Sequence, residues 1–240
     1  FDPAAHTKIF YITPRQKNDY MEIYHTQEDR FIYLPPGMNE KCRRPADAEA
    51  IRERKRAELG LNKDQLMLIL VGSSFRGKGG DRAIEALASL PENLRKRCCL
   101  YLVGSISGNE APQVAKRLGV SSQVILPGGR MDVPELLLAA NLMIHPARNE
   151  ATGTVLIEGI AAGLPVLCSE ECGFSNFVRE ASGLVVPKDA PQSVLNAMLA
   201  DALQRLPELA ERTRRYAETA DFYRRADVAV DALENFCRRN

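Results

Sequence analysis

Six consecutive apolar residues, Leu66-Met67-Leu68-Ile69-Leu70-Val71, show none of the alternation expected of a strand with one wet face. A strand of that kind is covered on both sides, which calls for helices above and below and hence a parallel sheet. The unit repeats: an apolar run at Cys98 to Val103 precedes a helical pattern at Glu110 to Leu118, Gln123 to Leu126 precedes Val133 to Ala140, and Leu142 to His145 precedes Thr154 to Ala162. Pro165 to Cys168 and Leu184 to Val186 complete about six strands. Strands alternating with helices of about ten residues predict right-handed crossovers and an α/β fold, a doubly wound parallel sheet of Rossmann-like type.

The segments around this core read more simply. Lys8 to Thr13 is a strand, Pro14 to Tyr24 a helix opened by proline, and Phe31 to Leu34 a second strand before the break Pro35-Pro36-Gly37. A charged helix runs from an N-cap at Asp47 to a stop at Gly60, and its basic run Arg52 to Arg56 reads as the solvated face of that helix rather than a membrane patch. Beyond Pro187 the chain reads as helices at Ala190 to Leu206, Pro207 to Ala220 and Phe222 to Arg239.

Composition narrows the function classes. At 240 residues and 45% hydrophobic, the chain fills one sizeable core and not two full domains. Lys plus Arg number 32 against 31 acidic residues, so no global field gathers nucleic acid or an anionic membrane, and any anion site is local. The six cysteines, Cys42, Cys98, Cys99, Cys168, Cys172 and Cys237, lack metal-ligand spacing, and several sit in apolar runs, which fits a reducing cytoplasm. No stretch has the roughly 18 apolar residues of a membrane span. The opening Phe1-Asp2-Pro3 carries neither an initiator Met nor a signal-peptide pattern, and reads as a cut.

In an open α/β sheet, ligands bind beyond the carboxyl ends of the strands, so the loops there hold the candidate site. Gly72 to Gly80 (GSSFRGKGG) sets Arg76 and Lys78 beside a helix N-terminus among glycines that permit close backbone approach, which suits a phosphate; a flexible loop with two solvated cations would carry the same letters. It is not a P-loop, because Gly79 follows Lys78. Pro127-Gly128-Gly129-Arg130 exposes backbone groups to a nucleobase edge or is a plain turn. In His145 to Glu158, Glu150 precedes a helix whose start, Thr152-Gly153-Thr154, offers free N–H groups, and Glu158 follows about two turns in. A diphosphate at that helix end would let its sugar reach Glu150 and its ribose reach Glu158. The alternative is a charge at a helix N-terminus plus an exposed glutamate. Ala161 to Leu167 (AAGLPVL) closes the helix at Gly163 and is structural.

Together EATGTVLIE, AAGLPVL and the upstream Lys78-Gly79 loop resemble the Glu-x7-Glu signature of the family 4 retaining glycosyltransferases of GT-B type, and most closely resemble the branch that glucosylates lipopolysaccharide inner-core heptose. The resemblance spans nearly the whole chain. It implies glucose transfer from UDP-glucose with retention, with this chain supplying the donor-binding half; no metal is expected, because no carboxylate cluster with Mg²⁺-like spacing accompanies the phosphate loop. Lys78 would neutralise the diphosphate, Glu150 hold the transferred sugar, Glu158 take the ribose hydroxyls, Thr152, Gly153, Thr154 and Val155 surround the phosphates with main-chain donors, and the backbone near Arg130 meet the uracil. Relatives carry an arginine at or near the position before the lysine; Gly77 stands there in this chain, with Arg76 next. Among Lys41, Arg43 and Arg44, Arg43 is the candidate for a basic linker residue near the donor.

The same resemblance implies that residues 1–37 are the last piece of an acceptor-binding domain with its linker, 38–221 the donor domain, and 222–240 a helix crossing back. The parent enzyme would be cytoplasmic and peripheral on the inner membrane face. Separated from the missing domain, apolar residues such as Phe10, Tyr11 and Phe31 would be exposed and favour self-association or weak order. No carboxylate nucleophile is evident, so the implied chemistry is same-face substitution by positioning and charge stabilisation. His145 either donates toward the sugar or is a satisfied structural residue ending an apolar strand. Two rivals stay open: another nucleotide sugar or acceptor, and a non-catalytic nucleotide-binding domain. A dehydrogenase does not fit, since the first strand lacks a following GxGxxG.

Overall fold

The computed structural model describes residues 7–105 and 108–239; Phe1 to His6, which open the expected 1–37 piece, lie outside the described residues. Residues up to Glu40 together with those from Ala220 form one compact unit, and Lys41–Thr219 forms a second.

In the first unit β1 (Ile9–Tyr11) and β2 (Phe31–Tyr33) pair in parallel around α1 (Pro14–Tyr24). Thr13, and not Pro14 alone, starts this helix. Its hydroxyl accepts from the Gln16 N–H while the Gln16 side chain returns to the Thr13 backbone, a complete capping box. Phe10 is exposed as expected, but Tyr11 and Phe31 are half-buried, edge to face at 6.0 Å.

The second unit opens with α2 (Ala48–Glu58). It continues with β3 (Leu66–Val71), α3 (Gly80–Ser89), α4 (Glu92–Arg95), β4 (Cys98–Val103), α5 (Glu110–Arg117), β5 (Val124–Gly128) and α6 (Val133–Ala139). Then follow β6 (Leu142–His145), α7 (Thr154–Ala161), β7 (Val166–Ser169), α8 (Ser175–Glu180), β8 (Leu184–Val186), α9 (Gln192–Gln204) and α10 (Leu206–Thr219). The last helix, α11 (Arg225–Arg239), belongs to the first unit, where Arg225 Nε donates to Pro35 O at 2.9 Å.

Among the described residues the sheet of this unit is parallel, in the order β5-β4-β3-β6-β7-β8. The chain winds outward from β3 through β4 to β5, returns through α6 to β6, and winds the other way to β8, so β3 and β6 flank the topological switch point. Met67 to Leu70 and all of β4 are buried, as two-sided covering demands. Ile84 and Leu87 press α3 onto the sheet, and each such side chain contributes roughly 1.5–3 kcal/mol by leaving water. Cys98, Cys99, Cys168 and Cys172 are buried free thiols.

The basic run of α2 corrects the sequence reading. Arg56 and Lys55 are buried, and Arg52 is half-buried. The C-terminal carbonyls of α6 have no intrahelical donors. Arg52 donates to Leu138 O at 2.6 Å and also to Ala140 O, and Arg56 donates to Ala139 O at 3.1 Å. Arg56 also reaches Asn141 Oδ1, Asn62 O and Gln65 O, at 3.1, 2.8 and 2.7 Å. These arginines are caps for another helix, a long-range role invisible in a local charge run. At the front of α2, Asp47 holds the N-cap position but its side chain caps nothing.

Candidate nucleotide-sugar site

The loop after β3 is a built turn, which removes the flexible-loop alternative. Lys78 N donates to Ser74 O at 2.8 Å, Gly79 N to Arg76 O at 3.0 Å, and Gly80 N to Phe75 O at 2.7 Å, with the Phe75 ring buried beneath. Gly79, the N-cap of α3, has φ 75°, and a Cβ there would lie 2.1 Å from Pro146 O, so only glycine lets this loop touch the one after β6. Gly72 has a similar use: a Cβ on it would sit 2.7 Å from Lys78 Cγ, so the lysine stem lies across its bare backbone.

Arg148 ties the two loops together. Its N–H donates to Gly77 O at 3.0 Å, and its guanidinium binds both oxygens of Asp81 at 2.7 and 2.8 Å and Arg76 O at 2.8 Å. Behind the loop, Glu150 bridges to Cys172 in parallel fashion, Gly173 N donates to Glu150 O at 3.0 Å, and Phe174 N donates to Thr152 O at 2.8 Å. Sequence reading missed Asp81, Arg148 and the 172–174 strip. The first two sit in motifs already singled out, where a cation and an acid at loop edges were the available signal.

Lys78 and Glu150, 72 residues apart, form an ion pair at the switch point. Its carboxylate oxygen, Oε2, also lies 3.5 Å from His145 Nε2, an ion-pair distance without the alignment of a hydrogen bond. His145, with Lys78 second, holds the Glu150 carboxyl down at about 2 despite partial burial. Glu158 goes the other way: burial alone pushes its carboxyl up. It stands one turn into α7, four residues after Thr154, and not two turns in. Gly153 is the N-cap of α7 at φ 81°, and no side chain caps that helix. Among the described residues the N–H groups of Thr152, Gly153, Thr154 and Val155 have no acceptor. This end of α7 therefore presents a row of free donors and a positive dipole to an anion.

The other expected residues are placed differently. Arg76 is exposed and turned onto Glu110, with Asp81 at 3.9 Å. The strand reaches Gly128, so Pro127 and Gly128 end β5 and only Gly129 and Arg130 follow it. The Arg130 guanidinium binds Asp132 at 2.7 and 2.8 Å, so its side chain is committed to that carboxylate. Arg130, then Lys55, holds Asp132 well below the usual carboxylate range. Lys55 itself meets Asp132, Glu58 and Glu135 at 2.9, 2.8 and 2.9 Å. In the linker, the Cys42 thiol is pushed up first by burial and then by the charge of Glu158, which places that cysteine near the glutamate. Among the described residues no three His, Cys, Asp or Glu side chains cluster as metal ligands.

A doubly wound sheet carrying a cation, a carboxylate and a bare helix N-terminus at its switch point defines an anion-binding Rossmann-like domain. The chain belongs to the glycosyl transferases group 1 family, whose model matches residues 51–220. It is 40% identical over 237 residues to the lipopolysaccharide glucosyltransferase WaaG of Escherichia coli strain K12, across 97% of this chain and 63% of that protein. The chain thus spans under two thirds of the length of this relative. The crystal structure of WaaG, a glycosyltransferase involved in lipopolysaccharide biosynthesis, superposes with a TM-score of 0.89 over 97% of this chain and 64% of that one. A D-inositol 3-phosphate glycosyltransferase from Thermobispora bispora is 31% identical across 94% of this chain and 56% of its own length. Anabaena HepE in complex with UDP and glucose shares the fold, with a TM-score of 0.80 at 18% identity over 97% of this chain and 63% of that one. The α/β reading, the Rossmann-like half of a GT-B glycosyltransferase, holds.

Proposed function

We propose that this chain is the donor-binding half of a retaining glucosyltransferase that moves glucose from UDP-glucose to a lipopolysaccharide inner-core heptose. The observation that carries the reading is the Lys78–Glu150 pair set against the free N–H groups of Thr152 to Val155, with Glu158 one turn further along α7. In this reading the diphosphate takes the helix end and Lys78, Glu150 holds glucose hydroxyls, Glu158 accepts from the ribose, and backbone near Arg130 meets the uracil. Negative charge growing on the leaving diphosphate is stabilised by Lys78 and the α7 dipole, groups oriented before the reaction begins. The 40% identical relative named a lipopolysaccharide glucosyltransferase supports both the sugar and the acceptor. Arg76 serves only if it leaves Glu110.

The proposal uses no metal ion and places the acceptor on a further domain of the parent enzyme, a cytoplasmic protein peripheral to the inner membrane. No helix of the described residues is long and apolar enough to cross a membrane. Exposed Phe10, Ile23, Tyr33, Val230 and Leu233 support self-association of this chain when alone. Sedimentation over a range of protein concentrations tests that.

Calorimetric titration with UDP, with and without Mg²⁺, tests the donor site. Glu158→Ala and Lys78→Ala should each cost about 1.5–3 kcal/mol of binding, and Mg²⁺ should change nothing. A folded chain that ignores UDP would overturn the reading. The 31% identical D-inositol 3-phosphate glycosyltransferase shows that family membership leaves the acceptor open, and competition among nucleotide sugars fixes the donor.

A further inference from the structure

His145 is wholly buried, at 0% exposure, and neither ring nitrogen has a hydrogen-bond partner. An unpartnered buried polar group costs stability, so a ring kept in that condition calls for an explanation. The rest of β6, Leu142-Met143-Ile144, shows that an apolar side chain would fit the strand. The ring's place is fixed by its backbone, which pairs with Cys168 in β7 and accepts the Cys172 thiol at 3.8 Å. What the ring faces is Glu150: Nε2 lies 3.5 Å from Oε2, the same oxygen that binds Lys78, while Oε1 has no partner among the described residues.

One oxygen thus has two donors in reach, one bonded and one waiting. Lys78 is the mobile one, a partly exposed ammonium on a flexible stem, and a diphosphate is a stronger attractor for it than a single carboxylate. When the ammonium leaves, Glu150 would remain a half-buried carboxylate with an empty Oε2, free to rotate out of position.

We propose that His145 is a positioning residue: its Nε2–H takes over Glu150 Oε2 when Lys78 moves to the donor diphosphate, and keeps Oε1 ordered for the sugar hydroxyls. The inference rests on the donor-site reading above. The carboxylate need close by only about half an ångström to bring 3.5 Å to hydrogen-bond distance. The exchange explains why the ring is held unsatisfied: its partner arrives only with the ligand.

Two measurements test it. In the ligand-free chain, ¹⁵N shifts of the His145 ring should show a proton on Nε2; the tautomer with Nδ1–H alone would turn a lone pair toward Glu150 and overturn the proposal. Calorimetry then compares UDP with UDP-glucose for the wild type, His145→Phe, His145→Gln and Glu150→Gln. His145→Phe should weaken UDP-glucose about tenfold while UDP stays within about twofold, and His145→Gln, which keeps a donor at the same reach, should recover most of the loss. If Glu150→Gln weakens UDP-glucose and His145→Phe does not, the positioning role falls while the donor site stands. If sugar and no sugar bind alike and Glu150→Gln is silent, the reading of Glu150 falls and takes this inference with it.

Discussion

At the amino pole of the sheet, Arg56 is buried and donates to Ala139 O, Asn141 Oδ1, Asn62 O and Gln65 O; at the carboxyl pole, His145 is buried and donates to nothing among the described residues. The contrast extends to whole elements. The C-terminus of α6 is closed by Arg52 and Arg56, whereas the N-terminus of α7 is left open. Lys55 sits among Glu58, Asp132 and Glu135, while the Glu158 carboxyl is shifted by burial alone. One pole uses its polar groups to hold the fold together, and the other leaves the His145 ring, the α7 N–H groups and Glu158 uncompensated at a cost in stability, as sites that bind by charge generally do.

The strongest way to break this comparison is at Arg56. Arg56→Ala strands three backbone carbonyls and should cost about 3 kcal/mol or more in urea unfolding, with UDP affinity unchanged in the folded fraction. A small loss would mean that water replaces the guanidinium and that the amino pole is not the rigid one.

Glu150 gives the next effect, and pH reads it. Its folded carboxyl is depressed to about 2 from an ordinary 4.5, so it stabilises the fold above about 4.5 and that contribution is lost as pH falls toward 2. The loss is on the order of 2–3 kcal/mol, and Glu150→Gln should flatten the stability curve across that window. A curve that Glu150→Gln leaves unchanged would remove the charge cluster from the account. Gly79→Ala, with φ 75° and Pro146 O in its way, should cost roughly 2 kcal/mol and abolish UDP binding by parting the loops.

The smallest effect has the opposite sign. The folded Glu158 carboxyl is raised by burial, so the native state holds its proton more tightly than the unfolded chain, and the ionised group costs stability at neutral pH. Glu158→Gln should therefore raise stability by up to about 1 kcal/mol while weakening UDP. A destabilised Glu158→Gln would place this residue with the satisfied pole instead.

How much of this was legible depended on the range of the contact. Apolar runs at Leu66 to Val71 and Cys98 to Val103, and the helical patterns between them, exposed the parallel α/β class because periodicity is set by neighbours within a turn or a pleat. The loops after β3 and β6, the Glu150–Glu158 spacing and the glycine at 79 were readable for the same reason. Helix α8 and the Gly173–Phe174 strip behind Glu150 were not, since their short segments carry little period.

By itself, then, the sequence determined the class of fold, the end of the sheet where the donor site is proposed, and the acids and cation placed there. Only the tertiary structure decided that Arg52 and Arg56 cap α6, that Arg76 turns to Glu110, and that Lys78 and His145 share one oxygen of Glu150. Apart from the short step from His145 to Glu150, those outcomes join residues 34 to 88 positions apart, where local pattern holds no information and the satisfaction of buried polar groups selects the partner.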